Sequence, residues 1–135
     1  MFSLVNSPHI LFVDDEAPIR EMLSLYFRKK GYAVTAAVTG KQAMELADKT
    51  AFNLAILDIN LAGESGLDLL GFFKSNYNTL PVIMFTGMGS DPEVIARATR
   101  DGADGFMSKT ESLDKLFAEV SRHLVPTEAG RVTAQ

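Results

Sequence analysis

Short apolar runs alternate along the chain with segments whose apolar residues recur at helical spacing. Runs of this length, bounded by polar or turn residues, are typical of strands buried on both faces, as in parallel sheets. Four such stretches each end beside a polar residue suited to chemistry: Ile10–Val13 before Asp14 and Asp15, Leu54–Leu57 before Asp58, Val82–Phe85 before Thr86, and Phe106–Ser108 before Lys109.

The alternation of strand and helix repeats five times. It predicts an α/β fold in which right-handed crossovers build a doubly wound, five-stranded parallel sheet between two helical layers, a three-layer sandwich. The later strands are predicted at Tyr32–Ala37, Asn53–Leu57, Leu80–Phe85 and Asp104–Met107. The helices are predicted from Ala17 to the stop at Gly31, over Gly40–Lys49, through Leu67 and Phe73 to Asn76, over Asp91–Asp101, and over Glu111–Leu124. Residues Asn60–Ser65 are predicted to form a loop.

The fourth helix has a clear start and a small apolar face. Ser90 or Asp91 is a suitable N-cap, and Pro92 suits the first turn. Val94 and Ile95 are its only large apolar residues. We therefore expect a weakly anchored helix that is able to move.

The length of 135 residues fits one domain. We predict an N-terminal extension over residues 1–8, a folded domain over 9–125 and a flexible C-terminal tail over 126–135. A membrane span or a secretory signal is not expected, and the absence of cysteine excludes disulfides and thiolate metal sites. The net charge of −4 argues against direct binding of nucleic acid. We expect a cytoplasmic protein.

The polar residues at the strand ends should meet at one edge of the sheet, where ligands bind in open parallel sheets. Asp14, Asp15 and Asp58 would then repel one another by about 4 kcal/mol per pair at an effective dielectric near 20. A divalent cation would relieve this repulsion, and a site built only from oxygen ligands favours Mg²⁺, or Mn²⁺. Taken singly, Asp14 and Asp15 fit a helix cap better, and Asp58 a turn at the end of a strand, but taken together with Thr86 and Lys109 they favour the site.

With these residues in order, and with Gly102–Phe106 before the lysine, the chain resembles the receiver domains of two-component response regulators. The resemblance runs from about His9 to about Leu124 and implies the flavodoxin-like (βα)5 fold of the chemotaxis regulator. It makes Asp58 the phospho-acceptor, Lys109 and Thr86 the residues that assist it, and Thr86 and Phe106 the switch pair.

The same resemblance implies the metal ligands. Asp15 and Asp58 would bind the cation directly, Asp14 would act partly through water, and the backbone carbonyl of Asn60 would complete the protein ligands.

The chain departs from the family at two points. Thr110 follows Lys109 where the family typically has a proline in a cis peptide, and a non-proline cis bond costs about 2.5–4 kcal/mol. We therefore expect a trans peptide between Lys109 and Thr110, or a cis peptide only under strain. Leu61 and Ala62 stand where Met-Pro is usual after the acceptor.

The predicted function is that of a signalling switch that takes a phosphoryl group from a sensor histidine kinase or a histidine phosphotransfer protein onto Asp58. It would act on a downstream protein effector or a fused output domain, without direct contact with nucleic acid or membrane. Its chemistry would be limited to self-phosphorylation and self-dephosphorylation, so it would not be an enzyme.

Two alternatives stay open. The chain can be a receiver excised from a larger response regulator or a hybrid histidine kinase. It can also be a small phosphohydrolase of the haloacid dehalogenase type, although that family needs an acid two residues after the nucleophile and Asn60 stands there.

Overall fold

The computed structural model describes residues 7–87 and 91–124. Most of the predicted extension at residues 1–8 and the whole predicted tail at 126–135 lie outside the described residues. Ser90, one of the two predicted caps, also lies outside them. The described part contains no helix that is both long and apolar enough to cross a membrane.

Five parallel strands form the central sheet: β1 (His9–Val13), β2 (Ala33–Ala37), β3 (Leu54–Leu57), β6 (Val82–Thr86) and β7 (Gly105–Ser108). Their order across the sheet is β2-β1-β3-β6-β7. The described helices are α1 (Ala17–Lys29), α2 (Gly40–Lys49), α3 (Gly66–Asn76), α4 (Pro92–Arg100) and α5 (Leu113–Leu124). The predicted doubly wound α/β fold is confirmed.

Successive strand residues point to opposite faces of the sheet and build two apolar layers. On one face Ile10 and Phe12 pack with residues of α1 and α5, including Phe27 and Leu116. On the other face Leu11 and its neighbours pack with residues of α2, α3 and α4. The central strands are buried on both sides, which is why their sequences are continuous apolar runs.

The strand bounds differ from the prediction by one or two residues. β2 begins at Ala33 and β3 at Leu54, each one residue late. β6 begins at Val82, since Pro81 has no N–H and Leu80 donates its own N–H to Tyr77 in a turn. β7 begins at Gly105, and the side chain of the preceding Asp104 accepts the N–H of Val82 and a bond from Lys74.

The segment Asn60–Ser65 was predicted to be a loop, and this is wrong. It forms a short antiparallel hairpin from β4 (Asn60–Leu61) and β5 (Glu64–Ser65). Gly63 makes the reversal possible, since its φ of 71° lies in the left-handed region that glycine tolerates.

Helix α4 is lightly held, as predicted. Ala98 is its one buried residue, and Val94 and Ile95 are half-buried. Asp91 is the cap, and its side chain accepts the backbone N–H of Glu93 at 3.0 Å. A partly exposed ion pair between Arg97 and Asp68 of α3, at 3.0 Å, adds a second attachment.

Candidate functional site

Three carboxylates meet where β1 and β3 end. Asp14 and Asp15 follow β1, Asp58 follows β3, and these two strands are neighbours in the sheet. One oxygen from each carboxylate lies within 4.8 Å of the others. Asp14 and Asp58 are buried and Asp15 is half-buried. The predicted convergence of these residues is confirmed.

Lys109 reaches this cluster from the end of β7, at the far edge of the sheet. Its Nζ lies 2.8 Å from Oδ2 of Asp14 and 2.8 Å from Oδ2 of Asp58. A third carboxylate, that of Glu16, has its Oε1 at 3.0 Å. The ammonium group therefore bridges two buried carboxylates and one exposed carboxylate.

Burial and pairing act on these charges in opposite directions. Burial disfavours the charged form of Lys109, but hydrogen bonds to Asp14, Asp58 and Glu16 outweigh it and hold the lysine pKa above its usual value. Burial raises the pKa of Asp14 above its usual value, although the Lys109 hydrogen bond works against the shift. The lysine is therefore charged at neutral pH.

Thr86 ends β6 and is fully buried beside the cluster. A small open cavity of about 200 Å³ lies over the site and is lined by Asp15, Glu16, Asp58, Asn60, Thr86, Gly87 and Lys109. At Gly87 an added β-carbon would have the Lys109 side chain as its nearest neighbour, at 3.9 Å. Among the described residues, no atom therefore crowds the cavity rim at Gly87.

Asn60 lies at the cavity where the resemblance requires it. It begins the β4–β5 hairpin, and its backbone N–H donates to Oδ1 of Asp58 at 3.3 Å. This bond orients the Asp58 carboxylate, whose other oxygen is held by Lys109. The role of the Asn60 carbonyl as a metal ligand stays a prediction.

Phe106 is half-buried on β7 opposite Met84 and packs against the apolar layer of α2, α3 and α4. It lies two residues from Ser108, whose strand partner is Thr86. Its predicted role in a switch stays a prediction.

The Lys109–Thr110 peptide is trans, as predicted, since the described residues contain no cis peptide. Hydroxyl groups hold this turn. Ser108 Oγ accepts the backbone N–H of Thr110 at 3.1 Å and lies 2.7 Å from Thr110 Oγ1. The lysine backbone N–H donates to the Thr86 carbonyl at 2.8 Å, which fixes the start of the loop.

Two site residues were missed in the sequence. Glu16 follows the acidic pair directly, and its contact with Lys109 spans 93 positions of the chain. Gly66, the first residue of α3, lies against the backbone of Asp58 and Ile59. The run of three acids was a visible signal for Glu16, whereas nothing local indicates the contact of Gly66.

The donor set suits a hard divalent cation. The three acidic side chains offer only oxygen, and their spacing allows one ion to contact all of them. Mg²⁺ and Mn²⁺ prefer such ligands, and the open cavity leaves space for the water molecules that Mg²⁺ usually keeps. The residues present therefore fit the cation expected from the sequence.

Comparison with known proteins gives a consistent result. The family model of the response regulator receiver domain matches residues 10–121. The transcriptional activator protein PfeR of Pseudomonas aeruginosa is 38% identical over 114 residues, which are 84% of this chain and 37% of PfeR. The chain spans 37% to 50% of the length of such curated relatives.

Solved structures are similar over nearly their whole length. A CheY-like receiver domain protein of Methanospirillum hungatei superposes with a TM-score of 0.84 at 27% identity, covering 87% of this chain and 94% of its own. The response regulator TrrA of Thermotoga maritima, solved with Mg²⁺-BeF, has a TM-score of 0.78 at 28% identity and coverages of 86% and 98%.

Proposed function

The chain belongs to the response regulator receiver domain family, and from this premise we propose that it accepts a phosphoryl group on Asp58. The observation that carries the proposal is the setting of this side chain. Asp58 is buried, faces the cavity, and has one oxygen bound by Lys109 and the other by the Asn60 N–H. The two contacts fix the orientation of the carboxylate, and the cavity lets a donor reach it from one side, which suits a nucleophile.

The donor is a phosphohistidine of a sensor histidine kinase or a histidine phosphotransfer protein. An oxygen of Asp58 attacks phosphorus, the bond from phosphorus to the imidazole nitrogen breaks, and the imidazole leaves with the bonding electrons. Lys109 donates an N–H to a phosphoryl oxygen, and the Thr86 hydroxyl binds another. Because such donors are charged from ATP, we place the chain in the cytoplasm.

Asp14, Asp15, Asp58 and the Asn60 carbonyl are the proposed holders of Mg²⁺, with Mn²⁺ as a substitute. The bound ion supplies positive charge to the phosphoryl oxygens. The Mg²⁺-BeF complex of TrrA, a receiver relative with the same fold, supports this choice.

The output is a change of binding surface. Phosphorylation draws Thr86 toward the new group, Phe106 turns into the space left behind, and α4 shifts. The curated relatives are longer than this chain, so the surface acts either on a fused output domain or on a separate protein effector. A receiver taken from a larger regulator or a hybrid kinase would use the same surface.

Turnover of an external phosphate ester is not part of the proposal. A phosphohydrolase of the haloacid dehalogenase type needs an acid to protonate the leaving group. Asn60, which occupies that position at the cavity, cannot serve as this acid, because its amide N–H groups donate hydrogen bonds but do not ionise at neutral pH.

Intact-mass spectrometry after treatment with acetyl phosphate and Mg²⁺ tests the proposal. One phosphoryl group should be added to the wild-type chain and none to Asp58→Asn. Full labelling of Asp58→Asn, or steady hydrolysis of a generic phosphate ester, would contradict it.

A further inference from the structure

Glu16 occupies the N-cap position of α1 but does not cap the helix. Its backbone is extended, with φ −95° and ψ 112°, and its side chain makes no capping hydrogen bond. The side chain of an N-cap residue normally accepts a backbone N–H of the first turn. Here the carboxylate binds Lys109 Nζ instead, at 3.0 Å.

This contact occupies one of the N–H donors of Lys109, and a second is donated to Asp58, while Asp14 is ion-paired with the same ammonium at 2.8 Å. An ammonium group has three N–H bonds, and Nζ has three carboxylate partners, those of Asp14, Asp58 and Glu16. A phosphoryl oxygen that approaches this ammonium therefore competes with the carboxylates already in contact with it.

The three partners differ in how readily they can leave. The side chains of Asp14 and Asp58 are 4% and 6% exposed. If either released Lys109, a buried carboxylate would be left without its cation. The Glu16 side chain is 59% exposed and lines the cavity, so water can solvate it once it is released. Glu16 is the partner whose release costs least.

We propose that Glu16 is a positioning residue that competes with the phosphoryl group for Lys109. It holds the ammonium over the carboxylates before phosphorylation and yields its N–H when a phosphoryl oxygen arrives. This inference rests on the proposed phospho-acceptor function. It predicts that the chain binds anionic phosphoryl donors and mimics more weakly with Glu16 than without it.

Two variants separate competition from simple repulsion. Glu16→Gln keeps the length but removes the charge, so its bond to Lys109 is weaker. Glu16→Asp keeps the charge but is one methylene too short for the same contact. Glu21→Gln is the matched control, because it removes the same charge from an exposed position of α1 that does not line the cavity.

The first measurement is the affinity for beryllofluoride at saturating Mg²⁺, followed by NMR. Exposed ion pairs contribute up to about 1 kcal/mol, so both Glu16 variants should bind the mimic about two- to fivefold more tightly than wild type. Glu21→Gln should match wild type. The half-saturating acetyl phosphate concentration should fall in both Glu16 variants and stay unchanged in Glu21→Gln.

The second measurement needs no phosphoryl group. The ¹⁵Nζ resonance of Lys109 in the unphosphorylated chain should move in both Glu16 variants and stay in place in Glu21→Gln. Equal shifts in all three variants, or none, would overturn the contact itself.

The remaining outcomes are distinguishable. If wild type is phosphorylated on Asp58 but the Glu16 variants bind beryllofluoride no better than the control, the competition is refuted and the proposed function stands. If only Glu16→Gln binds beryllofluoride more tightly, the charge of Glu16 repels the anion without positioning Lys109, and the competition is again refuted. If wild type never accepts a phosphoryl group, the function and this inference fall together.

Discussion

Gly66 lies against the backbone of Asp58 so closely that a β-carbon at Gly66 would collide with the Asp58 carbonyl oxygen. The Cα of Ile59 would be only 2.7 Å from the same β-carbon. Both obstacles are backbone, which cannot rotate away. The first turn of α3 is therefore seated directly on the peptide that carries the proposed acceptor.

Gly66→Ala should destabilise the fold by about 1–3 kcal/mol, as overpacking does elsewhere. It should also lower the rate of phosphorylation, because relief of the collision displaces Asp58. Urea unfolding and the acetyl phosphate reaction are the measurements. Gly71→Ala in the same helix is the control: its β-carbon meets nothing within 4 Å, and alanine favours a helix over glycine by up to about 1 kcal/mol. Equal stability of the two variants would contradict the contact.

Lys109→Gln should lower the free energy of unfolding by about 3–5 kcal/mol without divalent cations, since it leaves two buried carboxylates without their cation. Lys115→Gln is the comparison, because Lys115 is exposed and its ion pair is an exposed one with Glu111 at 3.1 Å. Its loss should cost under about 0.5 kcal/mol. Urea unfolding in the presence of a chelator measures both. A loss below about 1 kcal/mol for Lys109→Gln would show that the bridge does not stabilise the fold.

Mg²⁺ should stabilise the chain by mass action, by about 2.7 kcal/mol when its concentration is 100 times the Kd. Asp15→Asn should remove most of this gain because it deletes one of three converging carboxylates. Asp48→Asn, an exposed residue of α2, is the control and should retain the gain. Thermal unfolding with increasing Mg²⁺ is the measurement. If Mg²⁺ stabilises Asp15→Asn as much as wild type, Asp15 is not a ligand of the ion.

Thr86→Ala should leave the binding of beryllofluoride largely intact but confine its effects to the site. In wild type, NMR shifts should extend to Phe106 and to Val94 and Ile95 of α4, a helix held by few buried contacts. Thr86→Ser keeps the hydroxyl and should behave like wild type. Shifts that reach α4 equally in Thr86→Ala would mean that the switch runs through other residues.

Much of this site was predictable because its information is local. The apolar runs of β1, β3 and β6 are continuous since these strands are buried on both faces, and each run ends at the residue that enters the site. The caps and breaks are also local, as with Asp91 before Pro92 and the helix end before Gly31. Such features depend on a few neighbouring residues and on backbone geometry, which sequence patterns describe well.

The contacts between distant elements depended on the tertiary structure. The meeting of Lys109 with the carboxylates at the sheet edge was predicted, but which carboxylates it contacts depends on the order β2-β1-β3-β6-β7, and no local pattern specifies which strands are neighbours. The Glu16 carboxylate could bind either the first turn of α1, which is local, or Lys109, which is distant in sequence. It binds Lys109 because the fold places the ammonium within its reach. The same holds for Gly66, whose lack of a side chain matters only because the hairpin after Asp58 folds α3 back onto the acceptor's own backbone.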